Sequence, residues 1–149
     1  MQTVTVAEVC QTPKVQALVV SRKMPLAEAI WHFVQDHDLR GIFLTDENGR
    51  LVGVVNKQDL LAWVRLELSL ATETLSAAQV RRVVLAETVG DLARADSAET
   101  AVTLHDTLAT ALNKMVRYNQ TDIPVVDGDG RIVNDLRLSE VLAYVLRET

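Results

Sequence analysis

The sequence predicts an α/β fold made of two pseudo-symmetric β-α-β-β-α units packed into one module. Three observations predict it. Asp46-Glu47-Asn48-Gly49-Arg50-Leu51-Val52 returns as Asp127-Gly128-Asp129-Gly130-Arg131-Ile132-Val133, so residue 46 maps onto 127 at an offset of 81. Pro25-Leu26-Ala27-Glu28-Ala29-Ile30 returns as Thr107-Leu108-Ala109-Thr110-Ala111-Leu112, where 26 maps onto 108 at an offset of 82. Val6-Ala7-Glu8-Val9 is answered by Val89-Gly90-Asp91-Leu92. The one-residue slip between the first two offsets falls in the loop around His37. A repeat this long exceeds the period of solenoid arrays and reads as two copies of one folding unit.

In the first unit, Thr5 is placed to cap a short helix from Val6 to Cys10, which Gln11-Thr12-Pro13 breaks. Gln16 to Ser21 is rich in β-formers and reads as a strand. Pro25 suits the first turn of a helix, whose stripe Leu26, Ala29, Ile30, Phe33, Val34 follows the amphipathic template. Trp31 lies off the stripe, exposed or facing a partner chain. Ile42-Phe43-Leu44 is wholly apolar, as a strand buried on both faces should be. Asp46 to Gly49 is a hairpin turn leading into Leu51-Val52-Gly53-Val54-Val55. A helix follows from about Gln58. Asn56 and Asp59 sit where strand passes to helix, and on this stretch alone N-cap and first-turn acid is the stronger reading.

The helix is expected to run on through Trp63 and Val64 to Leu70, with a break at Thr72 to Thr74. Ser76 is the expected N-cap of a second helix, Ala77 to Leu85. This joint lacks Gly and Pro, so it is not a flexible linker. It either covers the core or offers a dimer surface, with Leu66, Leu68 and Leu70 on the side away from Leu61 and Val64. The second unit repeats the plan. Thr88 caps Val89 to Leu92, Ala101-Val102-Thr103-Leu104 is a strand, and Thr107 caps a helix with stripe Leu108, Ala111, Leu112, Met115, Val116. Ile123 to Val126 and Arg131 to Leu136 form a hairpin, and Ser139 to Arg147 is the last helix. Ile42-Phe43-Leu44 and Ile123-Pro124-Val125-Val126 should be the central strands, with Val54 and Val125 in related cores.

Hydrophobic residues make up 48% and charged ones 23% of the 149 residues, an ordinary globular mixture. Aromatics are only 4%, so the core must be aliphatic. The net charge of −5 argues against nucleic acid as a partner. A single cysteine, Cys10, allows neither an intrachain disulfide nor a multi-cysteine metal site. It reads as a small buried apolar residue near the first helix. His32, His37 and His105 lack ligand spacing. Asp127 and Asp129 are turn residues rather than calcium ligands. There is no signal-peptide pattern and no apolar run long enough for a membrane span, so a cytoplasmic protein is expected. No nucleophile motif, dinucleotide fingerprint or Walker loop is present, and the expectation is a protein that binds rather than catalyses.

The order of parts within each unit points to a family. Val-x-acid-apolar is followed by a short strand, Leu-x-x-Ala-apolar-x-x-apolar, an apolar strand, a Gly turn and Gly-apolar-apolar-x-x-x-Asp-apolar-apolar. Twice over, this resembles a tandem pair of CBS domains, named after cystathionine beta-synthase. The resemblance divides the chain into repeat 1 (1–64), a helical joint (65–87) and repeat 2 (88–149). It implies two clefts between the repeats, each able to hold AMP, ADP, ATP or S-adenosylmethionine, with no cofactor required. Carried over, Asp59 is the acid for the ribose hydroxyls and Asn56 takes the place of the family's Thr, flanked by Lys57 and Gln58. Thr100, Ala101, Thr121 and Ile123 would line that cleft. In the second copy Glu140 replaces the acid and Arg137 the Thr; Leu18, Leu39, Arg40 and Gly41 would form the opposite wall. Arg137 would pair with a phosphate or fill the cleft itself, and Arg40 is a second phosphate contact or a solvated loop residue.

Two functions fit this reading. One is a sensor that binds an adenosine-containing ligand and regulates a separate effector protein. The other is a dimerising scaffold whose clefts hold no ligand. A homodimer is expected, because an exposed Trp31 and the apolar Leu66-Leu68-Leu70 run exceed what a monomer usually displays. The shorter, more constrained Asp59, beside Gly53 where backbone could approach a ligand, ranks its cleft ahead of the Glu140 cleft for adenosine.

Overall fold

A computed structural model describes residues 3–10, 15, 17–36, 40–70 and 74–148. Mixed helices and small sheets alternate as the sequence predicts. The continuous apolar run at Ile42–Thr45 forms β2, the middle strand of a three-stranded sheet. It pairs in parallel with β1 (Leu18–Ser21) and antiparallel with β3 (Leu51–Val55), putting Ile42 opposite Val55 and Phe43 opposite Val54. In the second unit β4 (Asp122–Val126) pairs antiparallel with β5 (Ile132–Arg137). Both hairpins turn on an acid. Asp46 Oδ1 accepts N–H bonds from Asn48 and Arg50 at 2.8 and 3.0 Å. Asp127 Oδ1 does the same for Asp129 and Arg131 at 2.9 and 3.0 Å. The turns also meet: Leu51 N–H donates to Gly130 O at 2.9 Å, and Arg131 Nε donates to Asn48 O at 3.1 Å.

The expected strand at Ala101–Leu104 is reduced to one bridge, Val102 beside Val125. The chain is tied down on both sides of it. A 3₁₀ turn, Ser97–Thr100, ends just before, with the Thr100 hydroxyl donating to Ser97 O at 2.9 Å. Just after, Asp106 accepts from Thr103 N–H at 2.8 Å. Only Val102 is left to join the sheet.

Helices cover one face of each sheet: α2 (Leu26–Val34) and α3 (Lys57–Glu67) in the first unit, α5 (Leu108–Arg117) and α6 (Leu138–Glu148) in the second. The joint supplies α4 (Ala77–Val84), whose Ser76–Gln79 capping box reciprocally satisfies two backbone N–H groups. Thr5 precedes the one-turn α1 (Val6–Val9) but makes no side-chain cap bond.

Two apolar cores result, and they do not coincide with the two sequence repeats. Val89 and Leu92, which lead the second repeat, are fully buried in the first core with Ile42, Leu44 and Val55. Val6 and Val9, which lead the first repeat, are fully buried in the second core with Ile123, Val125 and Leu136. Backbone bonds fix the exchange. Val6 N–H reaches Asp106 O at 2.9 Å and Leu108 N–H reaches Val4 O at 2.8 Å. On the other side, Val89 N–H reaches Met24 O at 2.9 Å and Gly90 N–H reaches Arg22 O at 3.0 Å. A side chain at 90 is excluded there, since a Cβ would stand 2.7 Å from Arg22 O. The cores are otherwise counterparts: Ile42, Leu44 and Val55 answer Ile123, Val125 and Leu136. Val54 is the exception to expectation. Strand alternation puts it with Phe43 on the opposite face from Ile42 and Val55, and it is buried outside both clusters.

The joint also differs in detail from expectation. Leu66 packs against the first core, while Leu68 and Leu70 are exposed alongside Leu61 and Val64. Trp31 is exposed, 63% of its surface being free.

The exchanged segments should be worth as much as any core strand. Leu92→Ala should lower unfolding free energy by ~2–5 kcal/mol, whereas Leu85→Ala at the exposed C-cap of α4 should stay within ~0.5 kcal/mol. Urea denaturation of both variants checks this.

Candidate functional site

The two strand-to-helix junctions, Asn56–Asp59 and Arg137–Glu140, are where backbone N–H groups lack helical partners. At the first, Asn56 and Asp59 close a full capping box. Asp59 N–H donates to Asn56 Oδ1 at 3.0 Å, and Asn56 N–H donates to Asp59 Oδ2 at 2.9 Å. The other Asp59 oxygen faces Arg82 of α4, with Nη2 at 3.7 Å. Burial pushes the Asp59 carboxyl above its usual range, opposed by the Asn56 N–H and by the charges of Arg82 and Arg94. Both carboxylate oxygens are therefore engaged by the chain itself. Lys57 and Gln58 are exposed in the first turn of α3.

Gly53 has a packing role. A Cβ there would sit 3.3 Å from both Ala93 Cβ and Ser97 Oγ, and Val54 N–H donates to that Ser97 oxygen at 2.9 Å. The glycine admits the segment that leads the second repeat, which is a different reason from the ligand approach expected of it.

At the second junction Glu140 Oε1 accepts from Arg137 N–H at 3.1 Å. Arg137 folds back onto two buried acids, with Nε 3.3 Å from Asp135 Oδ2 and 3.8 Å from Asp122 Oδ2. Asp122 and Asp135 are only 5% and 1% exposed, so neither is solvated. Burial, then the neighbouring Asp135 carboxylate, drives the Asp122 carboxyl far upward, against the pull of Arg137. Among the described residues no protein group donates a hydrogen bond to either Asp122 oxygen or to the buried Gln120 Oε1, and a protonated Asp122 is itself placed to donate to the Asp135 carboxylate. Cys10 lies on this side, half-buried, its Sγ 3.8 Å from Asp135 O. Its thiol is pushed up to about 11 by burial and by the Glu140 and Asp135 charges.

Between the junctions lie two adjoining spaces. A small cavity of about 10 Å³ is walled by Arg40, Gly41, Asn56 and Lys57 from the first repeat and by Gln120, Thr121 and Asp122 from the second. An open cleft of about 440 Å³ adjoins it, lined by Asp36, Arg40, Thr121, Arg137, Leu138, Ser139 and Leu142. Arg40 and Thr121 border both. The cleft has exposed Thr121 and Ser139 side chains and the N-terminus of α6, where Leu138 N–H donates to Thr121 O at 2.8 Å.

Of the expected residues, Arg40, Gly41, Asn56, Lys57, Thr121 and Arg137 come together here, with Glu140 on the first turn beneath. Gly41 faces Asn56 rather than Glu140. Thr100 and Ile123 are fully buried, and Ala101 O accepts from Lys114 Nζ at 2.6 Å; none of the three lines either space. Leu18 packs against the first core. Leu39 lies outside the described residues. Sequence reasoning missed Asp122, Asp135, Ser139, Gln120 and Arg82. The first two were findable: they occupy the repeat positions of Gly41 and Val54, so the repeat itself flags them as polar where its copy is not. Among the described residues no cluster of three His, Cys, Asp or Glu could hold a metal ion. No described helix is long and apolar enough to cross a membrane.

A CBS domain profile matches residues 6–66 and 89–147. Among solved structures, a CBS domain-containing protein from Thermotoga maritima is 22% identical, with a TM-score of 0.80 over 99% of this chain and 97% of that one. CBSX2, solved in complex with AMP, is 26% identical, with a TM-score of 0.71 over 97% of each chain. The CBS domain pair of protein MJ0100, in complex with 5′-methylthioadenosine and S-adenosyl-L-methionine, is 16% identical, with a TM-score of 0.68 over 99% of this chain and 100% of that one. No curated protein matches the chain.

The buried acids have a consequence for stability. An unfolded Asp titrates near ~3.9, whereas Asp122 in the fold is held up to about 9. The folded state therefore binds the extra proton between those values. The stabilisation is complete below the unfolded value and is lost as pH rises through the folded one. Asp122→Asn should flatten this fall, so its melting temperature should gain on the wild type as pH rises from 5 to 9. Thermal unfolding across that range measures it.

Proposed function

The chain belongs to the CBS domain family, and on that premise we propose that it is a regulatory module that binds an adenine nucleotide or adenosyl compound between its two repeats. The bound ligand's energy would pass to a separate effector protein. One observation carries this reading: the cleft of about 440 Å³ draws its walls from both repeats, Arg40 from the first and Thr121, Arg137 and Ser139 from the second. Its size suits a nucleoside. Hydroxyls at Thr121 and Ser139 can meet sugar or phosphate oxygens, and the α6 N-terminus favours a partial negative charge. The AMP of CBSX2 and the adenosyl ligands of MJ0100 support the ligand class.

The ligand is assigned to the α6 cleft rather than to Asp59. Asp59 is only 5% exposed, and its oxygens already meet the cap N–H and Arg82, so ribose hydroxyls would have to reach its remaining lone pairs inside the fold. For the Asp59 junction alone, the alternative reading of a ligand-free scaffold is favoured by those same contacts. We further propose that two copies pair through the apolar helix faces that carry Leu61, Val64, Leu142 and Leu146, all of them exposed. Light scattering should then give twice the chain mass.

Calorimetry with adenosine tests the assignment. Ser139→Trp should fill the cleft and lower affinity at least tenfold. Asp59→Ala should cost ~0.5–2 kcal/mol of stability through the lost cap and leave affinity unchanged. The opposite pattern would put the ligand at Asp59. In a thermal-shift screen of the wild type, a ligand at 100 times its Kd should add ~2.7 kcal/mol; no response to any adenosine compound would leave the scaffold reading.

A further inference from the structure

The α6 cleft differs from a phosphate site in what stands behind its cations. Arg137 reaches the cleft wall, but its Nε is 3.3 Å from Asp135 Oδ2, a carboxylate only 1% exposed. Asp36 stands on the cleft wall, and Glu140, in the first turn of α6, lies just behind it. Arg40 and Arg137 therefore share their surroundings with the carboxylates of Asp36, Asp135 and Glu140. Even with Lys57 on the adjoining cavity and the half-charge at the α6 N-terminus, that set is close to neutral, unlike the clustered cations of a phosphate site. Asp122 lies 3.8 Å from Arg137 as well, and its burial holds it uncharged at neutral pH. The repeat shows that these charges are particular to this side. At the positions of Asp122, Asp135 and Arg137 the first repeat carries Gly41, Val54 and Asn56.

Resting on the reading of the cleft as an adenosine site, we propose that the carboxylates around Arg137 make it select an adenosyl compound without phosphates, neutral or cationic, over a di- or triphosphate. Arg137 serves as the counter-ion of Asp135 and not as a free phosphate clamp. A polyphosphate entering the cleft meets the exposed Asp36 at the wall and, behind Arg137, the buried Asp135, whose charge is screened less than at an open surface. To use Arg137 fully it must draw the guanidinium from Asp135 and leave a buried carboxylate without its cation. A nucleoside, or a sulfonium such as that of S-adenosylmethionine, makes neither demand. Asp135 is thus a specificity-determining residue that acts through Arg137.

The test is calorimetry on the full chain with adenosine, 5′-methylthioadenosine, S-adenosylmethionine, AMP and ATP at one ionic strength without divalent cations. The wild type should bind 5′-methylthioadenosine or S-adenosylmethionine at least tenfold more tightly than ATP, with AMP between. Asp135→Asn should bring the ratio to within about threefold by raising ATP affinity. Asp36→Asn, on the cleft wall and away from both cores, should move the ratio the same way if Asp135→Asn fails to fold. Tighter binding of ATP than of the phosphate-free compounds by the wild type overturns the inference and leaves the adenosine site standing. A ratio that neither Asp135→Asn nor Asp36→Asn alters overturns it too. Binding of none of the five compounds removes the adenosine site itself, and the inference with it.

Discussion

The exchange of leading segments between the two repeats is the constraint on which the rest of this structure depends. Each sheet has helices over one face, but neither core is closed by its own repeat. Val89 and Leu92 complete the first, Val6 and Val9 the second. Those four side chains are fully buried, and their segments are hydrogen-bonded across the pseudo-two-fold. A half-chain would leave an apolar face open to water, at about 25 cal/mol for every Å² exposed. The repeats are therefore duplicated in sequence but joined in folding.

That joining also orients the candidate site. With the two hairpin turns in contact and the leading segments crossed over, the α3 and α6 junctions are brought to opposite sides of one inter-repeat space. Arg40 and Gly41, just ahead of β2, and Thr121 and Asp122, at the start of β4, lie between them. A cleft walled by both repeats responds to any change in how they sit on each other, and such two-body surroundings are what a binding-linked switch requires.

Much of this was legible in the sequence because it is written locally. The turn acids Asp46 and Asp127, the Ser76 cap and the apolar run Ile42-Phe43-Leu44 each announce one element through short-range chemistry. The doubling of the pattern announced the two-fold plan. What stayed hidden depends on distant partners. Val6 and Val89 have the same apolar character and would suit either core, so no pattern says which one each joins. The reach of Arg82 from the joint onto Asp59 spans 23 positions, from 59 to 82. The strand expected at Ala101–Leu104 failed because Asp106 and Thr100 tie the flanking backbone, a competition that residue propensity alone does not resolve. Gly53 was tied to a ligand when its neighbour is Ser97. The charged cluster was the nearest miss, since comparing the copies position by position would have exposed Asp122 and Asp135.

The divergence of the copies carries a physical cost. In the first repeat Gly41, Val54 and Asn56 fill their positions with no ionised group. In the second, the same positions bury two carboxyls behind one guanidinium, and the pair is held together by the proton that Asp122 keeps. Such a cluster is a poorer source of stability than well-packed apolar residues, and breaking it by removing one partner costs ~3–5 kcal/mol. Arg137 is thus held in two roles that cannot be varied independently: it neutralises Asp135 inside the fold and it forms part of the cleft wall. Whatever draws it outward acts on the packing between β4 and β5 at the same time. Ligand charge at the cleft and the stability of the β4–β5 hairpin are coupled through that one side chain, and by reciprocity a change that loosens the hairpin changes what the cleft will hold.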